Sequence, residues 1–414
     1  MNKKRVLYLI FVLHRKDAFM QHYSKRTRAQ IHLDALAFNL QEIRRLADDN
    51  TCVMAVVKAD AYGHGDEQIA LYLQKCGVDW FAVSNLAEAL ELRKCGIDRP
   101  VLILGYTPPE CAAQLAYNDI TQAVYCTDYA QRLSEFAVQA DVTVNAHIKL
   151  DTGMSRIGFF YHDTETDCAT VDAIAAAVAL PGLFCDGIFT HFAQADMASG
   201  GEVYTRLQYD LFLDMIGRLE QRNITFAYRH CCNSAGILAY PEMHMDLLRA
   251  GIILYGLYPS SEVPRNCRLK PVMELRTVVS MVKDIPAGTA FSYGGTFVAE
   301  KDMTVATVPI GYADGYPRRL SNKVYMLTEN GDMAPVIGNV CMDQCLLDVT
   351  GIPDIKEGSQ IIVMGSAGGR TVSADFLADK AGIINYEIVC GLSRRVPRVY
   401  FDGDEVVSTT DYLQ

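Results

Sequence analysis

Short apolar runs alternate with helical patterns along the first two thirds of the chain. After a helical segment at residues 33–49, eight apolar runs predict strands, at residues 53–57, 79–84, 101–105, 121–126, 144–150, 183–190, 226–231 and 246–249. Helical patterns lie between most of them, and two of these, "EQIALYLQKCG" and "LAEALELRKCG", close on a glycine where a helix C-cap belongs. Eight strand-helix repeats predict an α/β fold with a TIM-like (β/α)8 barrel, and a doubly wound sheet is the alternative.

The pattern changes after about residue 260, where apolar stretches are joined by turns. "ELRTVVSMVKDI", "TVATVPIGYADG", "KVYMLTENGDMAPVIG" and "GSQIIVMG" read as strands, and "ADFLADKAGI" reads as a late helix. Asn330-Gly331 between two apolar runs predicts a hairpin. We therefore expect a disordered extension at residues 1–24, the barrel at 25–260 and a mainly β C-terminal domain at 261–414.

The first residues imitate a signal peptide. Lys3, Lys4 and Arg5 precede "VLYLIFVL", but this run is too short to span a bilayer and no small-residue cleavage site follows. We expect a poorly ordered or mis-started extension, with Met20 as an alternative start.

Composition narrows the function classes. Half of the 414 residues are apolar, and the net charge of −11 comes without a basic stripe, which argues against nucleic acid or a membrane as partner. The 13 cysteines form no C-x-x-C pair, so we expect neither a disulfide framework nor a metal site, and the reducing cytoplasm fits best. His230-Cys231-Cys232 reads as packing, because neighbouring strand residues point to opposite faces.

Candidate chemistry begins at Lys58 in "AVVKADAYGHG". This lysine follows the first barrel strand, at the end where barrel enzymes place their active sites, with Tyr62 in the next turn. A snorkelling lysine is the structural alternative, but a desolvated lysine can form a Schiff base with an aldehyde.

An anion site is indicated at the same face. "NSAG" (233–236) and "RAGI" (249–252) follow the last two strands, where a serine hydroxyl and backbone amides can bind phosphate. An ordinary N-cap serine is the alternative. A lysine for an aldehyde and amides for a phosphate together suggest pyridoxal 5'-phosphate (PLP).

These residues resemble the bacterial alanine racemase family. "AVVKADAYGHG" is similar to the family's PLP-attachment motif, and further motifs follow in the family's order: "HIKLDTGMSRIG", "THFAQAD", "CCNSAG", "RAGIILYGLYPS", "SYGGTF", "GYADGYPRR", "GNVCMDQ" and "RVPRVY". The resemblance covers roughly residues 27 to 402. It implies a PLP-dependent isomerase that consists of a barrel and a C-terminal β domain. Such an enzyme supplies D-alanine for peptidoglycan.

The resemblance also implies a cofactor site. Lys58 would bind PLP covalently, and Arg249 would face the pyridine nitrogen. The other residues implied at the cofactor are Tyr62, Arg156, His191, Asn233, Ser234, Gly251, Ile252 and Arg394. Because a guanidinium cannot accept a proton, Arg249 would leave the ring a weak electron sink and favour simple return of a proton.

Racemisation needs a base on each face of the α-carbon. The resemblance assigns these roles to Lys58 and to Tyr293 of "SYGGTF", with His191 beside Tyr293. In the family this tyrosine reaches the partner's active site, so a homodimer is implied. A hairpin tyrosine would be the reading without the resemblance.

Four residues are implied at the substrate side, one of them, Arg156, shared with the cofactor set. Arg156 would contact the cofactor phenolate and substrate carboxylate, and Met342, Asp343 and Tyr312 would line the substrate path. Lys149 matches a lysine that is often carbamylated and positioned to hold Arg156.

Arg394 stands where many members carry tyrosine, and Phe297 also replaces a common tyrosine. Serine racemases related to vancomycin resistance share the first departure, so alanine, serine or broader small amino-acid racemisation stay open. A PLP-dependent decarboxylase, a non-catalytic PLP-binding protein and a scaffold protein are the alternatives of other classes.

Overall fold

The computed structural model describes residues 26–413, and the expectation for residues 1–24 lies outside them. The described chain forms two compact units, residues 34–271 and residues 26–33 with 272–413. Strand β1 (Arg28–His32) belongs to the second of these. Within the described residues, no helix combines the length and the apolar character needed to cross a membrane.

The first unit contains eight parallel strands in one sheet. These strands, with a short β7 beside β6, are β2 (Cys52–Val56), β3 (Trp80–Val83), β4 (Val101–Ile103), β5 (Ile120–Val124), β6 (Val144–Asp151), β7 (Phe159–Phe160), β8 (Leu183–Phe189), β9 (Tyr228–His230) and β10 (Leu247–Ala250). The sheet order is β10-β2-β3-β4-β5-β6-β8-β9, a nearly closed barrel. All eight predicted strands are confirmed. The doubly wound alternative is wrong, because the strand order follows the chain without a reversal.

Helices connect the strands of the barrel. Their bounds are Leu33–Leu46, Lys58–Gly63, Asp66–Lys75, Leu86–Lys94, Ala112–Tyr117, Thr127–Gln139, Ala169–Val178, Gly201–Glu220 and Ser234–Ala239. The predicted glycine C-cap is confirmed at Gly77, which has φ +80. Its N–H donates to Gln74 at 3.0 Å, and the Val78 N–H donates to Leu73 at 3.1 Å. These two bonds satisfy carbonyls that would otherwise be unpaired at the helix end.

Burial explains why the barrel strands read as apolar runs. A parallel strand is covered on both faces, and Val101, Leu102 and Ile103 of β4 are all fully buried. β6 is different. His147, Lys149 and Asp151 alternate with apolar residues along it, so one face of this buried strand carries polar groups.

The second unit is mainly β. Its later strands are β11 (Met273–Val278), β12 (Met281–Ile285), β13 (Ala290–Phe291), β14 (Phe297–Val298), β15 (Met303–Val308), β16 (Tyr325–Thr328), β17 (Met333–Ile337), β18 (Cys345–Asp348), β19 (Gln360–Ala367), β20 (Arg370–Val372), β21 (Arg398–Asp402) and β22 (Glu405–Thr410). The large sheet has the order β12-β15-β18-β17-β16-β19-β11-β1-β21-β22. Helices Ala374–Ala381 and Asn385–Cys390 complete the unit. β16 and β17 pair antiparallel, so the hairpin predicted at Asn330-Gly331 is confirmed.

The two units divide at places different from those expected. The sequence predicted a barrel at 25–260, but residues 261–271 stay with the barrel and β1 joins the second unit. Asn39 ties residues 261–271 to the barrel unit, because its side chain donates to Lys270 O at 2.8 Å and accepts from Lys270 N at 2.8 Å. β1 pairs with β11 and β21, which are distant in sequence, so a local pattern does not reveal its partners.

Candidate active site

The predicted site residues of the first unit come from the carboxyl ends of the barrel strands. Lys58 follows β2, Lys149 lies in β6 with Arg156 beyond it, and His191 follows β8. The last two strands contribute Asn233, Ser234, Arg249, Gly251 and Ile252. Because the strands are parallel, these ends share one edge of the barrel, where barrel enzymes place their active sites.

Lys58 opens a turn of left-handed helix. Ala59, Asp60, Ala61 and Tyr62 all have φ between +50 and +56. Left-handed helix costs residues with a side chain roughly 1–2 kcal/mol each, so this turn stores about 4–8 kcal/mol. The sequence gives no sign of this left-handed turn, because none of its four residues is a glycine.

Neighbouring side chains hold this turn in place. Glu88 accepts from the Ala59 N–H at 2.9 Å and from the Ser84 N–H at 2.7 Å, which ties the turn to the end of β3. The fully buried His64 ring has Nδ1 3.0 Å from Ala61 O and packs on Tyr255 at 4.5 Å between ring centroids. The backbone next to Lys58 is therefore fixed by contacts from several elements.

Two hydroxyls and a backbone amide converge beside Gly251. The Gly251 N–H donates to Ser234 Oγ at 3.0 Å. A Cβ built on Gly251 would lie 2.8 Å from Tyr62 Oη and 3.4 Å from Ser234 Oγ. The predicted N-cap alternative for Ser234 is wrong, because Asn233 caps the helix and its Oδ1 accepts from Gly236 at 3.0 Å. The Ser234 hydroxyl is left facing Gly251 and Tyr62, a set of donors suited to phosphate.

Arg249 is a buried cation, 3 % exposed, held by neutral acceptors. Its Nη2 donates to Thr190 O at 2.7 Å and Cys231 O at 2.8 Å, and its Nη1 donates to His230 Nδ1 at 2.8 Å. Among residues 26–413 no carboxylate lies within ion-pair distance of it. Burial lowers the pKa of Arg249 to about 10, so the group remains a cation near neutral pH.

His191 and Lys149 lie near several cationic side chains. Burial, followed by the charges of Arg249, Lys149, Arg156 and Lys58, holds the pKa of His191 well below its usual range. Arg249 Nη2 lies 3.5 Å from His191 Nδ1. Burial and the charge of Arg249 also lower the pKa of Lys149 well below its ordinary value. The imidazole of His191 is therefore neutral near pH 7, and Lys149 is shifted toward the neutral amine.

Arg156 is an exposed residue in a loop of fixed shape. Asp151 Oδ1 accepts from the Gly153 N–H at 3.0 Å and from the Ser155 N–H at 2.9 Å. Gly158 is required where it stands, since its φ is +142 and an added Cβ would lie 2.6 Å from Asp151 N.

Tyr293 lies in the second unit on a short hairpin, with its side chain 73 % exposed. The backbone beneath it is fixed: Asn339 Nδ2 donates to Tyr293 O at 2.6 Å, and Ser292 Oγ donates to Asn339 O at 2.6 Å.

The remaining predicted residues of this unit come from two joined loops. The Tyr312 N–H donates to Cys341 O at 3.0 Å, and Met342 follows in the second loop. Arg395 clamps the pair, with Nη1 2.8 Å from Asp343 Oδ1 and Nε 3.6 Å from Asp314 Oδ1.

Arg394 does not share in this clamp. Its guanidinium lies 5.2 Å from the centroid of the Tyr412 ring, a cation-π contact. Its phosphate-binding role stays a prediction.

Sequence reasoning did not single out His147 or Asp186, and it read His230 as packing. His147 and His230 are fully buried. His147 Nδ1 lies 3.0 Å from His230 Nε2, and His147 Nε2 lies 3.3 Å from Asp186 Oδ1. The polar alternation in β6 was the available signal, because a barrel strand should be apolar on both faces.

Comparison with known proteins agrees with this geometry. The family models described as alanine racemase, N-terminal domain, and alanine racemase, C-terminal domain, match residues 31–259 and 272–400. The protein named alanine racemase 1 from Clostridium acetobutylicum is 44% identical over 386 residues, which is 93% of this chain and 98% of that protein. Alanine racemase 1 of Caldanaerobacter subterraneus subsp. tengcongensis is 40% identical over 388 residues, 94% of this chain and 98% of the other.

A solved structure is also similar. Alanine racemase from Clostridium difficile 630 superposes with a TM-score of 0.88 at 39% identity, and the match covers 94% of this chain and 99% of the other. The two family models, the two relatives and this structure agree over both units. The chain therefore belongs to the alanine racemase family.

Proposed function

We propose that this protein interconverts L- and D-alanine with PLP as cofactor, and that Lys58 and Tyr293 move the proton. The observation that carries the proposal is the convergence of the Tyr62 hydroxyl, the Ser234 hydroxyl and the Gly251 amide near the turn that follows Lys58. Family membership supports the choice of alanine, and provision of D-alanine for peptidoglycan is the usual role of the family.

The residues present fit PLP. A phosphate needs donors and space, and the absence of a side chain at Gly251 leaves both beside Tyr62 and Ser234. The Ile252 amide, next in the chain, belongs to the same loop. When bound, PLP would supply an electron sink for charge that develops at the α-carbon. Arg249, a donor-only cation, fits opposite a ring nitrogen that carries no proton.

Lys58 and Tyr293 would act as the two bases at the α-carbon. Lys58 lies close enough to His191 for its charge to lower the pKa of that imidazole. A neutral His191 can accept a hydrogen bond, and a phenol that donates to it can give up its proton more readily. Arg156, Met342, Asp343 and Tyr312 would bind and orient the substrate.

A homodimer follows from the exposure of the second base. The single chain leaves three of the predicted site residues exposed: Tyr293 by 73 %, Tyr312 by 43 % and Met342 by 52 %. Covering tyrosine and methionine side chains would bury much apolar surface. We propose that a second copy covers them and that each site takes Tyr293 from its partner. The 13 cysteines are all free, which supports a reducing, cytoplasmic location.

Lys149 would be carbamylated. Its buried, partly neutral amine can attack CO2, which forms an N–C bond, releases a proton and leaves an anionic carbamate. The carbamate would lie near Arg249 and Arg156 and would offset their charge. It would also give Arg156 a fixed acceptor.

Two variants test the assignment of the bases. Lys58→Ala should give no adduct when PLP-treated protein is reduced with borohydride, whereas Lys75→Ala, at an exposed helix end, should react normally. Tyr293→Phe should retain the adduct and racemise alanine at least ~100-fold more slowly. Tyr117→Phe, whose ring is 76 % exposed, is the control. Normal racemisation by Tyr293→Phe in both directions would sink the two-base assignment.

Mixing the two variants tests the shared site. If each site combines Lys58 of one chain with Tyr293 of the other, mixed dimers contain one intact site, and about a quarter of the wild-type activity should return. Sites built within one chain would give no recovery. Initial rates on L-alanine and L-serine, measured side by side, decide between the alanine and the serine or broader assignments, and turnover itself separates a racemase from a PLP-binding protein.

A further inference from the structure

A line of polar side chains runs through the barrel interior from Asp186, whose side chain is 23% exposed, to the buried Arg249. The contacts in order are His147 Nε2 to Asp186 Oδ1 at 3.3 Å, His147 Nδ1 to His230 Nε2 at 3.0 Å, and His230 Nδ1 to Arg249 Nη1 at 2.8 Å. Both imidazoles are fully buried. Arg249 has a place in the proposed function, whereas the other three residues have none so far.

Hydrogen-bond chemistry fixes the direction of this line. A guanidinium can only donate, so His230 Nδ1 must accept and the His230 proton must lie on Nε2. That proton points at His147 Nδ1, which must accept in turn, so the His147 proton also lies on Nε2. The next group is the Asp186 carboxylate. The line therefore runs from a cation through two neutral histidines to an anion.

The sheet is distorted at the point where Asp186 enters. In the ladder between β6 and β8, Ala146 pairs with Cys185 but His147 pairs with Gly187, so Asp186 is an extra residue in a bulge. Bulges re-aim side chains. Gly187 is part of this arrangement, since a Cβ there would lie 2.5 Å from the His147 ring.

The contact between His147 and Asp186 is the one link in the line without hydrogen-bond geometry. His147 Nε2 and Asp186 Oδ1 are both buried atoms, and neither makes a hydrogen bond to any residue within 26–413. The separation of 3.3 Å is the longest of the three links. Packing keeps the histidines in place, because Trp80 lies 5.2 Å from the His147 ring and Phe189 stacks on His230 at 4.7 Å, both between ring centroids.

We propose that Asp186 is a positioning residue, the terminal acceptor of a line that locks His147 and His230 in their Nε2–H forms and thereby keeps His230 Nδ1 available to hold Arg249. Its value for catalysis rests on the proposed function, because Arg249 matters there as the cation at the cofactor ring. The tautomers themselves do not rest on it.

The test combines nuclear magnetic resonance with kinetics on the full chain. Protein labelled with ¹⁵N in its 9 histidines is measured before and after PLP is added, and signals are assigned with His147→Gln and His230→Gln. We expect both residues to carry the proton on Nε2. Asp186→Ala should disturb the His147 signals and lower kcat for alanine about 10-fold with KM unchanged.

Two further variants separate positioning from general damage. Asp186→Asn keeps an acceptor oxygen of similar reach, so it should keep both tautomers and most of kcat. Asp172→Ala, which removes a carboxylate that is 71% exposed, should match wild type. A proton on Nδ1 of His147 or His230 in the wild type would overturn the proposal, as would an Asp186→Ala protein with unchanged signals and kcat. If the tautomers are as stated and alanine is not racemised, the proposed function fails instead.

Discussion

Ser234→Ala tests the phosphate site most directly. The Ser234 hydroxyl accepts from the Gly251 N–H at 3.0 Å and is buried. With phosphate present, the hydroxyl and the amide can both donate to the anion. The variant therefore loses one hydrogen bond in the free protein and a stronger, charge-assisted one in the bound protein.

The difference between these losses sets the magnitude. A neutral hydrogen bond contributes about 0.5–1.5 kcal/mol and one to a charged group about 1.5–3 kcal/mol. The net loss of cofactor affinity is then about 1–2 kcal/mol, so Kd should rise roughly 5- to 30-fold. The assay is an equilibrium titration of cofactor-free protein with PLP, followed by absorbance.

Two controls make the result specific. Ser134→Ala removes another buried hydroxyl, which donates to Pro181 O at 2.6 Å, and should leave Kd unchanged. Pyridoxal, which lacks the phosphate, should bind wild type and Ser234→Ala equally. A Kd for PLP within twofold of wild type, or an equal loss with pyridoxal, would refute the assignment of Ser234 to phosphate.

Two predictions concern stability. Gly187→Ala should lower the free energy of unfolding by about 1–3 kcal/mol, because its Cβ would lie 2.5 Å from the His147 ring. Gly217→Ala, which has open space around it, should raise the free energy of unfolding by roughly 0.5–1 kcal/mol. Equal urea midpoints for the two variants would contradict this prediction. Burial keeps the pKa of His191 and of His230 well below the ordinary 6.5, so below that pH the unfolded chain binds more protons than the folded one. The free energy of unfolding should therefore fall as pH drops below about 6.5, by up to about 1.4 kcal/mol per pH unit for each histidine. A urea midpoint that does not change between pH 7 and 5.5 would show that these rings are not held neutral. So would a His230→Gln variant whose stability depends on pH as steeply as that of the wild type.

The barrel could be predicted from sequence because its strands are covered on both faces. A strand such as Val101–Ile103 must be apolar throughout, and helices with glycine ends separate such strands at regular intervals. β1 escaped the same reasoning. Its five residues, RAQIH, give no sign that their partners lie about 240 and 370 positions away, because pairing over such distances depends on the tertiary fold.

The candidate site could be predicted in part. Lys58 was identified by its position after a strand, and Ser234 and Gly251 by the loops that follow the last strands. The left-handed turn after Lys58 could not be foreseen, because tertiary contacts from Glu88 and His64 impose a conformation that its residues disfavour. The bulge at Asp186 arises from strand register, which one sequence does not reveal.

The place of β1 has a consequence for how the protein is made. This strand lies between β11 and β21. β1 is translated early, but its partner β21 is translated near the end of the chain, so β1 must wait for that partner. The pairing of β1 with β21 can form only after residues 398–402 have left the ribosome, whereas every strand of the barrel is available once residue 250 has emerged. A fragment that begins at residue 272 would lack β1, an interior strand of this sheet, and would leave the facing edges of β11 and β21 unpaired.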